Sequence, residues 1–172
     1  MKYYPTPLES WVSRLYRQLG ILSPHDINEH DIARYFRIYL FYKPILSYCY
    51  EKGSFKSITI DSRLDKHTQR EVFFHELCHL LRHCGWQSGM LEKAFKELQE
   101  YDSVNFTRYA AIPFHMLNQI NFHDENLIMN ISEQFGVTET LAAHRIERIK
   151  NSAVSRIMEK GVEKYGDLLS QT

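Results

Sequence analysis

His75 and His79 stand four residues apart, with Glu76 beside the first, in the run Phe73-Phe74-His75-Glu76-Leu77-Cys78-His79-Leu80-Leu81. Positions i and i+4 project from one face of a helix, so both imidazoles can reach one metal ion. In H-E-x-x-H sites the glutamate is not a ligand. It accepts a proton from water polarised by the metal and passes it to the leaving group. Val72, Phe73, Phe74, Leu77, Leu80 and Leu81 surround the motif, so the helix is expected to be a buried element. Unpaired polar and charged groups are costly in such surroundings, and a metal ion with its water satisfies the two histidines and the carboxylate together.

A catalytic zinc needs a third protein ligand and an open position for water. His83 does not supply it: positions i, i+4 and i+8 drift around a straight helix and span roughly 12 Å of its axis. A capping or supporting role beside His79 is expected for it instead. The helical stretch Leu91 to Ile112 offers Glu92, Glu97, Glu100 and Asp102. Glu100 shares a face with Ser103, Thr107, Ala110 and Ala111, small residues that let two helices approach closely. Asp102 shares a face with Asn105, Phe106 and Tyr109. Residues i and i+2 point about 200° apart on a helix, so only one of the two acids is expected on the metal. Glu100 is the favoured ligand, with Asp102 as the alternative or as a supporting group.

The motif helix needs a platform. Leu8, Trp11, Val12, Leu15 and Leu19 recur at helical spacing before Gly20, and a shorter helix is expected from about Asn28 to Phe36, capped by Asp26 or Asn28. Between Ile38 and Ile60 the composition turns to Tyr, Phe, Ile and Thr, broken by Pro44 and Glu51-Lys52-Gly53-Ser54. This predicts three short strands with a hairpin tip at Lys52-Gly53. Ile58 and Ile60 alternate with Ser57, Thr59 and Asp61, so the last strand should carry one buried and one polar face. Thr68-Gln69-Arg70-Glu71 has the form of a capping box for the motif helix, and Gly85 is its expected stop.

These motifs resemble those of the ImmA/IrrE metallopeptidases. That family shows H-E-L-G-H followed by E-x-E-A-N-x-F-A-x-x-L-L-x-P; here Cys78 stands in place of the glycine, and Asp102-Ser103-Val104 in place of Glu-Ala-Asn, before Ala110-Ala111-Ile112-Pro113. The resemblance implies a gluzincin-like zinc endopeptidase of bacterial mobile elements, with Glu76 catalytic, whose protein substrate is a helix-turn-helix repressor. In such proteases the substrate lies extended along a sheet edge, which makes Ser57 to Asp61 a candidate for pairing with it. Tyr101, Tyr109, His115 and His123 are the candidates for an oxyanion donor.

The C-terminal third reads as helix, tight turn, helix: Leu127, Ile128, Ile131 and Phe135, then Gly136-Val137-Thr138, then Leu141, Ile146 and Ile149. His144, Arg145, Arg148 and Lys150 form a modest basic stripe interrupted by Glu139 and Glu147. Packing or partner docking is favoured over DNA binding, which needs a denser phosphate-contacting face.

With 172 residues, 44% hydrophobic and 24% charged, the chain is long enough for one domain with a substantial core. Its parts are expected at 1–64 (helices and strands), 65–120 (metal-site helices) and 121–172 (the helix-turn-helix-like portion). The fold class is α+β, mostly helical and zincin-like with a small three-stranded sheet. Lys plus Arg and Asp plus Glu both number 21, so no global charge draws the chain to nucleic acid or membrane. No apolar run is long enough to span a bilayer and no signal-peptide layout is seen, so a cytoplasmic location is expected. Cys49, Cys78 and Cys84 form no C-x-x-C pair and are expected as free thiols.

Overall fold

The structure, a computed structural model, describes residues 3–83 and 93–152. Its elements in chain order are α1 (Pro7–Gln18), a 3-10 turn (Pro24–Asp26), α2 (Glu29–Tyr35), β1 (Ile38–Lys43), β2 (Tyr48–Lys52), β3 (Phe55–Asp61), α3 (Lys66–Arg82), α4 (Lys93–Ala111), a second 3-10 turn (Phe114–Gln119) and α5 (Leu127–Phe135). A further helix, α6, occupies residues 139–152. The chain is thus α+β, mostly helical with a single three-stranded sheet among the described residues. Gly85, Cys84 and Glu92 lie outside the described residues.

The sheet order is β1-β3-β2, with β3 parallel to β1 and antiparallel to β2. β2 and β3 form the expected hairpin, Lys52 pairing with Phe55. The central place of β3 corrects two expectations. Both of its edges are already paired, so Ser57 to Asp61 cannot add a substrate strand; β1 and β2 have the outer edges, and β2 is the one beside Glu76. Ser57 and Thr59 are also buried along with Ile58 and Ile60, because the large rings of Tyr39, Phe41, Tyr48 and Tyr50 on the paired strands flank them on either side.

The start of α3 is also different. Its cap is Asp65, whose carboxylate accepts the Thr68 N–H at 3.0 Å and the Thr68 hydroxyl at 2.6 Å. Thr68 is therefore inside the first turn, and the polar residues after it reach outward. The Arg70 guanidinium bonds Glu29 at 2.6 Å and the Ile27 carbonyl at 3.2 Å, and Glu71 accepts the Thr138 N–H at 2.6 Å. The third Arg70 nitrogen donates to the Phe135 carbonyl. The first turns of α3 thus hold α2 and the α5–α6 turn, one turn before the motif. Gly136 in that turn has φ 63°, and a Cβ there would lie 2.9 Å from Arg70 Nη1, so glycine answers both the backbone and the contact.

α1 opens with a capping box, Thr6 accepting from the Glu9 N–H and Glu9 accepting from the Thr6 N–H. Tyr16 donates from α1 to the Ala110 carbonyl of α4 at 2.8 Å. Arg145, assigned to a basic stripe on sequence grounds, is wholly buried: its guanidinium pairs with the equally buried Glu9 at 2.6 Å, donates to the Ile112 carbonyl at 3.2 Å and lies 4.9 Å over the Tyr109 ring. The stripe therefore loses its central cation to the core.

Breaking one side of a buried pair leaves the other charge uncompensated, so Arg145→Met is expected to cost about 3–5 kcal/mol of unfolding free energy. Adding Glu9→Leu should recover part of the loss, as denaturant unfolding of the single and double variants will show. Burial acts to raise the Glu9 pKa, but Arg145, the Thr6 N–H and Tyr3 outweigh it and hold the carboxyl below its usual range. A depressed folded-state value means that this stabilisation is complete above the ordinary carboxylate pKa and lost as pH falls through the depressed value.

Candidate metal centre

The packing of α3 decides which way the motif points. Phe73, Phe74, Leu77 and Leu80 are buried, which turns His75, Glu76 and His79 to the rim of the core rather than into it. α4 packs along the same helix through Ser103, Thr107, Ala110 and Ala111, all buried, as the small-residue face predicts. That register brings Glu100 over the histidines. His75 Nε2 is 3.2 Å from one Glu100 carboxylate oxygen and His79 Nε2 is 3.4 Å from the other. The two Nε2 atoms are 3.1 Å apart.

Two imidazole nitrogens facing each other at that distance repel unless a proton or a cation lies between them. With a carboxylate oxygen beside each, the donors form the two-histidine, one-carboxylate set that suits a divalent ion of the zinc type. The side chains of His75, His79 and Glu100 are 30%, 20% and 58% exposed, so the cluster is open to molecules arriving from solvent.

Asp102, the alternative acid, points elsewhere. Arg82 grips its carboxylate at 2.7 and 3.2 Å, and His83 Nε2 lies 3.1 Å from it. Burial works to raise its pKa, but Arg82 and His83 prevail and hold it below the usual range. His83 Nδ1 is in turn 3.0 Å from His79 Nδ1. The chain of contacts is consistent in its protons: with His79 Nε2 free of hydrogen, His79 Nδ1–H donates to His83, and His83 Nε2–H donates to Asp102. His83 is thus more than a helix-end residue; it links His79 to Asp102. Cys78 lies near Asp102 and His83, but its thiol is pushed up to about 12 by burial and Arg82 already neutralises the carboxylate, so these groups are spent on one another.

Glu76 is half-buried beside β2. Burial raises its pKa, opposed by hydrogen bonds from the Cys49 thiol and main-chain N–H and by the charge of His75. Cys49 is likewise pushed up to about 12, by burial first and then by Glu76, so it remains a thiol that donates to the carboxylate. None of this was readable from sequence, where Cys49 appears as an isolated thiol in a strand. The proposed oxyanion donors lie away from the cluster: Tyr101 pairs with Arg148, Tyr109 is in the core, His115 bonds the Ile21 carbonyl, and His123 shares a cavity with His115. His144, read only as part of the basic stripe, lines a cavity together with His75.

The cluster is of the kind that a metallopeptidase-type domain carries. The chain belongs to the peptidase M78 family, whose model, described as the IrrE N-terminal-like domain, matches residues 25–147. That span contains α3, α4 and every residue of the cluster, and family membership implies a metal. The chain is similar to two proteins of Bacillus subtilis (strain 168), each at 32% identity. Uncharacterized protein YqaB matches over 148 residues, 85% of this chain and 86% of the relative. Phage-like element PBSX protein XkdA matches over 146 residues, 84% of this chain and 73% of the relative.

Proposed function

We propose that this protein is a zinc-dependent endopeptidase, with His75, His79 and Glu100 holding the ion and Glu76 acting as general base. The observation that carries the reading is the convergence of three ligand atoms at the open rim of α3 with a proton-accepting carboxylate beside them. A bound zinc supplies a Lewis acid that acidifies water and polarises a peptide carbonyl. Glu76 is then the group that takes up a proton and returns it to the leaving amine; its partial burial raises its affinity for that proton, and the Cys49 N–H and thiol fix its orientation. An extended peptide can pair along the outer edge of β2, next to Glu76.

The substrate we propose is a helix-turn-helix repressor of a mobile element, met in the cytoplasm. The family resemblance supports it, as does a relative named for a phage-like element. No helix among the described residues is long and apolar enough to cross a membrane. Withdrawal of Arg145 into the core disfavours DNA binding by the basic stripe.

The test is incubation of the zinc-loaded protein with a repressor encoded beside it. Discrete cleavage that stops on chelation and returns with zinc is expected. Binding without cleavage by the loaded protein, with its activating conditions varied, would instead make it a capture module.

A further inference from the structure

The α3 wall of the metal site continues into a groove between three helices. Val72 of α3, Val104 of α4 and Leu141 of α6 give apolar surface to an open cavity of about 280 Å³ beside His75, which Arg108, His144 and Glu71 also line, Glu71 being held by the Thr138 N–H. Arg108 and His144 also line a second, wider cavity of about 830 Å³, into which Arg148 projects from α6. The two cavities thus share Arg108 and His144, which stand between a chamber beside a metal-site histidine and a recess that holds a pair of arginines.

Those arginines differ from others in the fold. Arg63, Arg70, Arg82 and Arg145 each have a carboxylate partner, in Asp61, Glu29, Asp102 and Glu9. Arg108 donates to the Asn105 side chain at 3.3 Å, and Arg148 lies 5.7 Å over the Tyr109 ring with Tyr101 as its hydrogen-bond partner. Among the described residues neither has an ion pair with a carboxylate, and Glu147, which lines the same cavity, pairs with neither. Burial and then the like charge of Arg148 lower the Arg108 pKa, whereas for Arg148 burial is outweighed by Tyr101 and Tyr109, which raise its pKa.

We propose that this groove selects the peptide: the chamber beside His75 receives a branched aliphatic side chain adjacent to the scissile bond, and Arg108 with Arg148 receives the carboxylate of an acidic residue two positions further on. This rests on the peptidase reading above. In an extended peptide side chains i and i+2 point the same way, so two neighbouring cavities can receive both. The aliphatic lining gives the first selection, and uncompensated charge gives the second.

The probes are hydroxamates, which bind zinc directly, carrying a Leu-like side chain followed by Ala-Asp or Ala-Lys, and a third with Gly in place of the Leu-like unit before Ala-Asp. Calorimetric titration into the zinc-loaded protein should show the Asp form binding on the order of tenfold tighter than the Lys form. Arg148→Gln should bring the two within about twofold. Val104→Phe, at an exposed position, should fill the chamber and erase the advantage of the Leu-like probe over the Gly probe. Unchanged zinc content in each variant shows that the fold and the metal site survive. Equal affinity for Asp and Lys in the wild type, or a preference that persists in Arg148→Gln, would overturn the inference while leaving the peptidase reading in place. Failure to hold zinc at all would overturn both.

Discussion

Glu76→Gln is expected to retain zinc at the wild-type level and to lose ~10²–10⁴-fold in the rate of repressor cleavage, the range that a positioned proton-transfer group contributes. The separation of the two effects is the informative part. Glu76 is turned toward β2 and bonded by Cys49, whereas the ligand atoms of His75, His79 and Glu100 face one another. Gln preserves the size and the hydrogen-bonding edge of the side chain but cannot take up the proton, so metal binding should be untouched. Metal content by atomic absorption and cleavage by single-turnover electrophoresis, measured on the same preparations, distinguish this outcome from a merely misfolded variant. Equal cleavage by Glu76→Gln and wild type would remove Glu76 from the chemistry.

The parts of the centre that were legible in the sequence are those fixed by local geometry. The i, i+4 spacing of His75 and His79 needs only a helix, and the small-residue face of α4 points Glu100 at a close neighbour regardless of which neighbour it is. What was not legible depends on partners brought from far along the chain. Thr68 and Glu71 have capping-box spacing, yet Asp65 offers a better cap and Glu71 finds Thr138, so a local signal yields to a tertiary contact. Arg145 looks like one more cation on a polar stripe because nothing in its neighbourhood announces Glu9, more than a hundred residues earlier. The alternation in β3 suggested one buried and one polar face, whereas the rings that bury Ser57 and Thr59 come from its paired strands, whose order alternation does not encode. Cys49 is the sharpest case: its meeting with Glu76 depends on how β2 sits against α3, and no spacing in the sequence carries that.

Asp102 and Glu100 stand two positions apart on α4 and meet different residues beside α3, Arg82 with His83 and His75 with His79, and their replacements should differ accordingly. Glu100→Ala deletes one of the converging donors, so the protein should lose zinc to a chelator at concentrations that leave wild type loaded. Asp102→Ala and His83→Phe should keep zinc but with affinity weakened ~10–100-fold, because they act through the orientation and basicity of the His79 ring. Arg82→Gln provides the control. It frees Asp102 of its salt bridge without touching the His79–His83–Asp102 contacts, so a loss of affinity in Asp102→Ala that Arg82→Gln does not share is attributable to the imidazole chain rather than to the ion pair. Unfolding of the metal-free proteins should change little across His83→Phe and Arg82→Gln, since both residues lie at the end of α3. If Asp102→Ala emptied the site while Glu100→Ala stayed loaded, the ligand and the supporting acid would have to exchange roles, and Asp102 would have to leave Arg82 and His83 to reach the ion. The two bonds from Arg82 and the contact with His83 oppose such an exchange, which is why the geometry favours Glu100.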